Sequence, residues 1–281
     1  MDNEIAKNIR ASLTADCIQC FGLCCTALNI VASSDFAVNK NAGTPCPNLQ
    51  GDFRCKIHNN LREKGFKGCT VFDCLGAGQQ VSQVTFNGQS WQAHPEIAEK
   101  MFRVFPVMEQ LYEMIAFIAE ALTYEISDAL QNKLNQQLEQ LQSLTDMDAD
   151  RLLSLNIMEC RLPVNKLLLE TSEYIRSELS AKVFAIKKGK NCTGIDWVGK
   201  KLAGKDLRTT NLRGAYLIAT DLRNTDLRGV DFIGADLRDA NLSGANLSTS
   251  MFLTQMQINS AKGNYKTILP AHIQRPAHWT S

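Results

Sequence analysis

The most regular feature of the chain is a large apolar residue at every fifth position from residue 202 to residue 252. The residue two positions earlier is small from Thr210 onward, and the intervening residue is usually Asp or Asn. Neither an α-helix nor a β-strand has a five-residue period. The pattern therefore predicts a repeat architecture whose core is formed by the large residues. These predicted core residues are Leu202, Leu207, Leu212, Leu217, Leu222, Leu227, Phe232, Leu237, Leu242, Leu247 and Phe252.

These repeats resemble the pentapeptide repeat family, whose consensus A(D/N)LXX is matched by the stretch GADLRDANLSGANLS. The resemblance covers roughly residues 192–281. It implies a right-handed, four-sided β-helix in which four pentapeptides make one coil. We expect the β-helix over residues 191–262 and a C-terminal cap over residues 263–281, because an uncapped solenoid exposes an apolar end and unpaired strand edges.

The segment before the repeats, residues 93–190, has the three- and four-residue apolar spacing of helices. Pro106 is expected to break or kink the first of them, leaving a short helix and then a long one that reaches about Ser143. Thr145 and Asp148 resemble a capping box for the next helix. A further helix is predicted to begin near Pro163.

The N-terminal segment, residues 1–92, is rich in Cys, Gly, Pro and Asn and lacks long helical periodicity. Near its end, SQVTFNGQSW predicts a short β-hairpin with Asn87 and Gly88 in the turn. Eight of the ten cysteines of the chain lie in this segment, which is predicted to be a Cys-rich metal-binding domain. The candidate ligands are Cys17, Cys20, Cys24, Cys25, Cys46, Cys55, Cys69 and Cys74, with His58 as a ninth candidate.

The cysteine spacing CxxCxxxCC, followed by PCP-x-L and C-x-I-H, resembles a bacterial family of zinc- or iron-chelating proteins over about 60 residues. Eight thiols suffice for two four-coordinate sites, and both zinc and iron–sulfur clusters take four such ligands. Adjacent Cys24 and Cys25 do not readily serve one centre, because neighbouring side chains diverge. Structural zinc is the preferred cofactor and an iron–sulfur cluster the alternative. A thiol redox role and structural disulfides also stay open.

The N-terminus lacks the apolar core of a signal peptide, and no apolar stretch approaches the ~20 residues of a membrane-spanning helix. We therefore expect a cytoplasmic protein without a membrane partner, or one exported without a cleaved signal. In a reducing compartment, clustered thiols favour metal over disulfides.

The formal net charge is +1, and Lys200–Gln255 contains eight Lys or Arg against six Asp. Some pentapeptide repeat proteins mimic DNA and bind a type II topoisomerase through an acidic surface. Mixed charge suits neither this mimicry, which stays a minor alternative, nor binding to nucleic acid.

Common catalytic motifs such as a phosphate loop, HExxH and GxSxG are absent from the sequence, so the pattern does not decide whether the chain is an enzyme. The predicted function is a metal-stabilised pentapeptide-repeat scaffold that binds a protein partner and can form a homodimer. The alternative is a metalloprotein with redox or metal-handling activity at the N-terminal cysteines.

Overall fold

The computed structural model describes residues 3–187 and 189–279. The first two residues of the predicted Cys-rich domain and the last two of the predicted cap lie outside this range. The chain forms two compact units, residues 1–123 with 128–167 and residues 124–127 with 168–281. Among the described helices, none combines the length and apolar content that crossing a membrane requires. The division into four domains stays a prediction.

The first unit is built around one long helix, α5 (Pro95–Ala121). Helices α1 (Asn3–Ser12), α6 (Asp128–Thr145) and α7 (Ala149–Ser154) pack against it. The side chains of α5 that these neighbours bury recur every three or four positions, as an amphipathic helix requires. They include Met101, Val104, Phe105, Met108, Leu111 and Ile118.

The expected break at Pro106 is wrong, because α5 continues through it. Proline removes one backbone hydrogen bond, but Phe105 and Met108 on either side are fully buried, and their packing stabilises the helix. The expected long helix to Ser143 is also wrong, since α5 ends at Ala121 and α6 begins at Asp128.

Helix α7 starts at a cap that differs from the expected one. The Asp148 carboxylate accepts hydrogen bonds from the backbone N–H groups of Asp150 and Arg151, both at 3.0 Å. Thr145 instead ends α6, and its hydroxyl donates to the carbonyl oxygen of Gln142 at 2.7 Å. Asp148 alone is therefore the N-cap.

Helix α8 (Ile157–Glu178) begins six residues before the predicted start at Pro163. Asn156 provides the start signal, because its side-chain oxygen accepts a hydrogen bond from the Met158 N–H at 3.2 Å. A five-residue π-helical turn, Leu179–Val183, follows α8.

The Cys-rich part of the first unit consists of short elements joined by turns. Ile30 pairs with Lys40 and Leu49 with Cys55 as isolated antiparallel bridges. The helical elements are α2 (Leu23–Thr26), a 3₁₀ turn (His58–Asn60), α3 (Lys67–Val71), α4 (Ala77–Gln79) and a π-helical turn (Gln80–Thr85).

The predicted hairpin at SQVTFNGQSW is wrong, because its first half lies in the π-helical turn. Asn87 and Gly88 do adopt positive φ angles of 52° and 73°, as a tight turn requires. Val81 and Ser82 are buried, and the Ser82 hydroxyl accepts a hydrogen bond from the Phe21 N–H at 3.2 Å. Because burial of Val81 and Ser82 holds the preceding segment in a helical turn, the Asn-Gly pair follows a helical turn and does not join two β-strands.

The second unit contains the predicted β-helix, which is confirmed. Isolated parallel bridges join residues 20 apart, from Asn191 with Asn211 to Asp231 with Met251. The Leu212 N–H, for example, donates to the Asp231 carbonyl oxygen at 3.0 Å. The predicted core side chains from residue 212 to 247 pack in one apolar core and are at most 1% exposed. The register shifts at the end of the repeats, because Leu253 packs in this core, whereas Phe252 is buried outside it with a φ of 56°. Leu202 is 9% exposed, and Leu207 is partly buried.

The corners of the coil are tight turns. In Leu212–Ala215, the Ala215 N–H donates to the Leu212 carbonyl oxygen at 3.1 Å, and Gly214 has a φ of 61°. A type II turn needs such an angle at its third residue, and glycine adopts it without strain. Thr209 occupies the same position with a φ of 54° and is fully buried. Its hydroxyl accepts a hydrogen bond from the Gly189 N–H at 2.8 Å, which stabilises this corner.

The last coil of the solenoid is followed by helix α9 (Gln255–Ser260), whose N-terminus has a capping box at Thr254 and Gln257. The Trp279 ring is buried in the same apolar core as the repeats, and its Nε1–H donates to the Ala261 carbonyl oxygen at 3.1 Å. Residues after the repeats therefore cover the apolar end of the β-helix.

Candidate functional site

Four of the candidate ligands lie around one small apolar cluster, and we call Cys25, Cys46, Cys55 and Cys69 the Cys46 set. All four pack in the cluster that Leu61 and Phe66 share with Cys46. The Cys46 N–H donates to the Cys25 carbonyl oxygen at 2.9 Å.

The thiols of the Cys46 set interact electrostatically. Burial, and after it the charges of Cys25, Cys46 and Cys55, raise the pKa of Cys69 to about 12. Burial also raises the pKa of Cys55, opposed by a hydrogen bond from the Ile57 N–H and reinforced by Cys25 and Cys46. Desolvation and like charges both favour the neutral thiol, so a cation that offsets them favours the thiolate.

The other four cysteines, Cys17, Cys20, Cys24 and Cys74, form what we call the Cys74 set. Burial is the main reason that the pKa of Cys20 is raised to about 12; a hydrogen bond from the Leu23 N–H opposes it, and the charges of Cys74 and Cys17 act in the same direction as burial. Burial likewise raises the pKa of Cys74, while N–H groups of Gly78 and Gly76 that donate to its thiol lower it. Gly78 lies so close to Cys20 that a Cβ atom at this position, which glycine lacks, would be only 2.6 Å from the Cys20 Sγ atom. Gly78 therefore contacts both sulfurs.

The two sets meet at Cys24 and Cys25, whose Sγ atoms lie 3.9 Å apart. The hydrogen bond between the two thiols raises the pKa of Cys24 well above its ordinary value, with burial adding to it. The same hydrogen bond lowers the pKa of Cys25. Cys24 also interacts with Cys20 and Cys17.

Lys40 is a buried residue of this region that sequence reasoning missed. Its ammonium donates to the carbonyl oxygens of Thr26, Asn41 and Thr44 at 2.9, 3.2 and 3.0 Å, and also to that of Leu28. Burial lowers its pKa, and the neighbouring Cys46, Cys25 and Cys24 oppose this effect. Nothing in the pattern around Lys40 distinguishes it from a surface lysine.

The donor chemistry of both sets suits a thiophilic metal, but the ligands are not assembled into a coordination sphere. Within residues 3–187 and 189–279, no three His, Cys, Asp or Glu side chains are grouped so that they could hold a metal ion. All ten cysteines are free thiols. His58 is exposed at the start of the 3₁₀ turn, and its N–H donates to the Cys55 carbonyl oxygen at 3.2 Å.

On the solenoid, aspartates of the repeat pattern form ion pairs with the arginine two positions later. Such pairs join Asp221 with Arg223 at 2.7 Å and Asp236 with Arg238 at 2.6 Å. Pairs of the same spacing occur at Asp206 with Arg208 and at Asp226 with Arg228. The paired arginine lowers the pKa of the Asp206, Asp221 and Asp236 carboxyls. The acidic groups are thus neutralised locally.

One side of the solenoid carries exposed apolar residues between charged ones. We call Asp196, Val198, Tyr216, Ile218, Asp236 and Arg238 the Tyr216 face. Asp196, Tyr216 and Asp236 are joined by parallel bridges and stack along it. Tyr216 is 54% exposed and Val198 52%.

The family to which the chain belongs is shown by its similarity to known proteins. Residues 201–248 match the family model described as pentapeptide repeats, in eight copies. The chain is 54% identical over 272 residues to the uncharacterized protein YybG of Bacillus subtilis (strain 168), covering 97% of this chain and 96% of that protein. The chain belongs to the pentapeptide-repeat proteins, in the same family as YybG.

Two solved pentapeptide repeat proteins match part of this chain. Rfr23 from the cyanobacterium Cyanothece 51142 is 25% identical over 28% of this chain and 53% of its own, with a TM-score of 0.26. The protein alr5209 from Nostoc Pcc 7120 is 30% identical over 31% of this chain and 70% of its own, with a TM-score of 0.22. The chain thus spans about half the length of Rfr23. The resemblance of residues 17–74 to a metal-chelating family stays a prediction.

Proposed function

We propose that this pentapeptide-repeat protein is a metal-stabilised scaffold that binds a protein partner through the Tyr216 face of its solenoid. The observation that carries this proposal is the combination of a filled interior and an exposed, partly apolar side. Leu217 and Leu237, which lie beneath the face, are at most 1% exposed, so recognition has to use the outer side chains.

The chemistry of the Tyr216 face supports a protein as the partner. Protein interfaces are enriched in tyrosine and arginine and place apolar groups at the centre with charged groups at the rim. Here Tyr216, Val198 and Ile218 provide the apolar part. Asp236 and Arg238, paired at 2.6 Å, are charged neighbours on the same side. Repeated coils hold these side chains at fixed spacing, which lowers the entropy cost of binding.

The charge distribution weighs against the minor alternative of DNA mimicry. A mimic needs uncompensated negative charge, spaced like phosphates. Asp221 and Asp236 each pair with an arginine, and Asp239 lies 3.4 Å from the Lys262 ammonium. These aspartates therefore do not present the row of unpaired negative charges that a topoisomerase recognises in DNA.

The metal part of the proposal is supported by the thiol density and by backbone N–H groups directed at sulfur. The Leu23 N–H points at the Cys20 Sγ at 3.4 Å, and N–H groups of Gly76 and Gly78 donate to Cys74. Such hydrogen bonds stabilise metal-bound thiolates. When bound, a structural metal of this kind contributes on the order of 10 kcal/mol to folding. An iron–sulfur cluster uses the same four-thiolate donor set and would favour the alternative of redox or metal-handling activity.

Metal content and the visible absorption spectrum of anaerobically purified full-length protein test this part. One or two zinc ions per chain without colour is the expected result. Iron with sulfide and a broad visible absorption band would instead support the alternative, an iron–sulfur cluster with redox or metal-handling activity. A chain without metal whose thiols are paired would overturn both metal hypotheses.

Photo-crosslinking in cells that express the full chain tests the partner. A photoreactive amino acid at Ile218, on the Tyr216 face, is expected to crosslink a specific protein, and Tyr216→Glu is expected to abolish the product. The matched control carries the probe at Ser243, which lies on another side of the same coils. Equal crosslinking from both positions would contradict the proposal, and a product of two chains would identify a homodimer as the partner.

A further inference from the structure

We infer that the N-terminal end of the β-helix is a second site for a protein partner, and that it binds an extended acidic segment as an additional strand. We call residues 196–198 and 201–203 of the first coil the open edge. The open edge borders the Tyr216 face, with which it shares Asp196 and Val198. It adds a mode of partner binding that the proposed function does not contain.

The hydrogen bonds between coils show which backbone groups an added strand would use. The Trp197 N–H donates to the Tyr216 carbonyl oxygen, and the Tyr216 N–H donates to the Ile195 carbonyl oxygen, both at 2.8 Å. Tyr216 thus directs both of its backbone groups at the preceding coil. In residues 3–187 and 189–279, the N–H and carbonyl groups of Asp196 and Lys201 have no backbone partner. Both residues are exposed, so the backbone of another chain can pair with them.

The opposite end of the solenoid shows how this chain pairs an edge. The Leu242 N–H donates to the Lys262 carbonyl oxygen, and the Leu247 N–H donates to the Ile268 carbonyl oxygen, both at 2.7 Å. Lys262 and Ile268 come after the repeats and form parallel bridges with the last coil. Residues of the chain itself therefore pair with the C-terminal edge, whereas the open edge is left for another chain.

Apolar side chains beside the open edge are less well covered than those in the middle of the solenoid. Trp197 and Leu202 are each 9% exposed, and Leu207 is partly buried, whereas Leu222 and Leu242 are fully buried. An added strand that carries an apolar side chain would cover this surface, as each coil covers the next. The end of the β-helix thus combines backbone groups that can pair with a strand and an apolar surface for its side chains.

The charges around the open edge indicate which occupant fits. Residues 190–205 contain four lysines and one aspartate, so two copies of this end repel each other, and lysines at an exposed edge oppose self-association. An acidic segment has the complementary charge. A nucleic acid would pair with the lysines but not with the backbone of the edge. The exposed lysines are Lys190, Lys200, Lys201 and Lys205.

Amide hydrogen exchange in wild-type full-length protein tests the inference without any substitution. The probe is the synthetic peptide ADLEEADLEEADLEE, which has the pattern of the repeats with glutamate at outward positions. We expect saturating peptide to slow exchange of the Asp196 and Lys201 N–H groups at least about tenfold, as read by NMR. The Asn241 N–H, which already donates to the Thr220 carbonyl oxygen, is the internal control and should not change. Unchanged exchange at Asp196 and Lys201 would overturn the inference.

Two further peptides separate strand addition from simple charge attraction, with fluorescence anisotropy as the measure of binding. N-methylation of the leucines keeps the charge but removes the N–H groups that an added strand donates to the Asp196 and Lys201 carbonyl oxygens. It should weaken binding at least about tenfold. The basic peptide ADLKKADLKKADLKK should not bind. If the N-methylated peptide binds as tightly as its parent, no strand is added and the inference is wrong.

Removal of lysines gives a matched test on the protein. Lys201→Gln with Lys205→Gln should weaken binding of the acidic peptide at least about threefold. The control, Lys64→Gln with Lys166→Gln, removes the same charge from other exposed sites and should bind like the wild type. Equal losses in the two double variants would show that net charge attracts the peptide, which contradicts the inference.

Two other outcomes identify a different occupant or a different failure. Protection of the Asp196 and Lys201 N–H groups that rises with protein concentration, without peptide, would assign the open edge to a second copy and overturn the acidic segment. A crosslink from Ile218 that Tyr216→Glu abolishes, in a chain that does not bind the peptide, would refute the open edge alone. The proposed function of the Tyr216 face would then stand.

Discussion

Each pentapeptide of the solenoid buries a large side chain and pairs its backbone with a residue 20 positions away, whereas residues 17–74 of the first unit form short turns and isolated bridges. In the solenoid, neighbouring coils provide the core for one another, so stability accumulates coil by coil. In the Cys-rich part, Cys46, Leu61 and Phe66 form the buried centre of a much smaller cluster. The two regions therefore depend on different kinds of interaction, regular burial in one and proposed metal–thiolate bonds in the other.

Removal of metal should give the largest difference in stability between the two regions. A chelator under reducing conditions is expected to unfold the Cys-rich part, because bound metal contributes on the order of 10 kcal/mol to such small folds. The β-helix, whose core is made of apolar side chains, should be unaffected. Limited proteolysis read by mass spectrometry should then show new cleavage within residues 17–92 and continued protection of residues 201–252.

The control is the same digestion after Zn²⁺ has been added back, which should restore protection of residues 17–92. If the chelator changes nothing, or if cleavage appears equally in the repeats, the contrast between the two regions is wrong.

Leu222→Asn should be the most damaging single change within the solenoid. Leu222 is fully buried, and the substitution loses apolar burial and leaves an amide without a hydrogen-bond partner. We expect a loss of about 3–5 kcal/mol in the free energy of unfolding. Thermal and urea denaturation followed by circular dichroism measures it.

Arg223→Asn is the matched control, one position along the chain. The Arg223 side chain is 54% exposed, and its pair with Asp221 lies at the surface. Exposed ion pairs stabilise little, so the melting temperature should fall by less than about 2 °C. Equal losses for the two variants would contradict the inward register of the repeats.

The two regions also differ in how far the sequence predicts them. The β-helix is predictable because its information is local and repeated, so that each of Leu217, Leu222 and Leu227 is recognised from its own pentapeptide. The end of α5 is not, because nothing in LTYEIS signals a chain reversal. The Tyr124 ring lies edge-on against Phe252 with centroids 6.1 Å apart, a contact between residues distant in sequence.

The candidate site shows the same limit. Clustered cysteines predict a set of ligands, but their partition depends on which loops return to α2, and no periodicity encodes this. Gly78 contacts Cys20 although 58 positions separate them in the chain. Lys40 carries no signal at all, since its burial results from four backbone carbonyls that surround its ammonium.

Asp231→Asn should reveal a buried charge pair within the solenoid. The Asp231 side chain is fully buried and accepts from the Arg213 guanidinium at 3.0 Å. Loss of its charge leaves a guanidinium without its partner, which we expect to cost about 2–4 kcal/mol of unfolding free energy. Urea denaturation measures the loss, and Arg213→Met in the same chain should recover part of it.

Asp236→Asn is the control, because Asp236 holds the equivalent position in the next pentapeptide. Its arginine partner, Arg238, is 59% exposed, so the pair contributes little. If Asp236→Asn is as harmful as Asp231→Asn, burial is not what distinguishes the two pairs.

The free energies of unfolding of the two units should change with pH in opposite directions. The substitution Glu109→Gln tests this difference and has the smallest expected effect of the changes proposed. Burial, and after it the neighbouring Glu113, raise the pKa of Glu109 to about 7. Between its ordinary value of 4.5 and about 7, the folded state binds more protons at this group than the unfolded state. The free energy of unfolding of the first unit should therefore fall as pH rises through this window. Paired aspartates of the solenoid, with their lowered pKa values, contribute stability that is lost instead as pH falls below the ordinary range.

Glu109→Gln should therefore stabilise the first unit by about 1–2 kcal/mol near pH 8, after allowance for the partial exposure of the carboxyl, and should have little effect near pH 4. Urea denaturation at both pH values, on protein of equal metal content, measures the difference. Glu99→Gln, an exposed site on the same helix, should show no such pH-dependent gain. A gain of equal size at both pH values would mean that the introduced amide acts through packing, and that the carboxyl of Glu109 does not set the pH response of this unit.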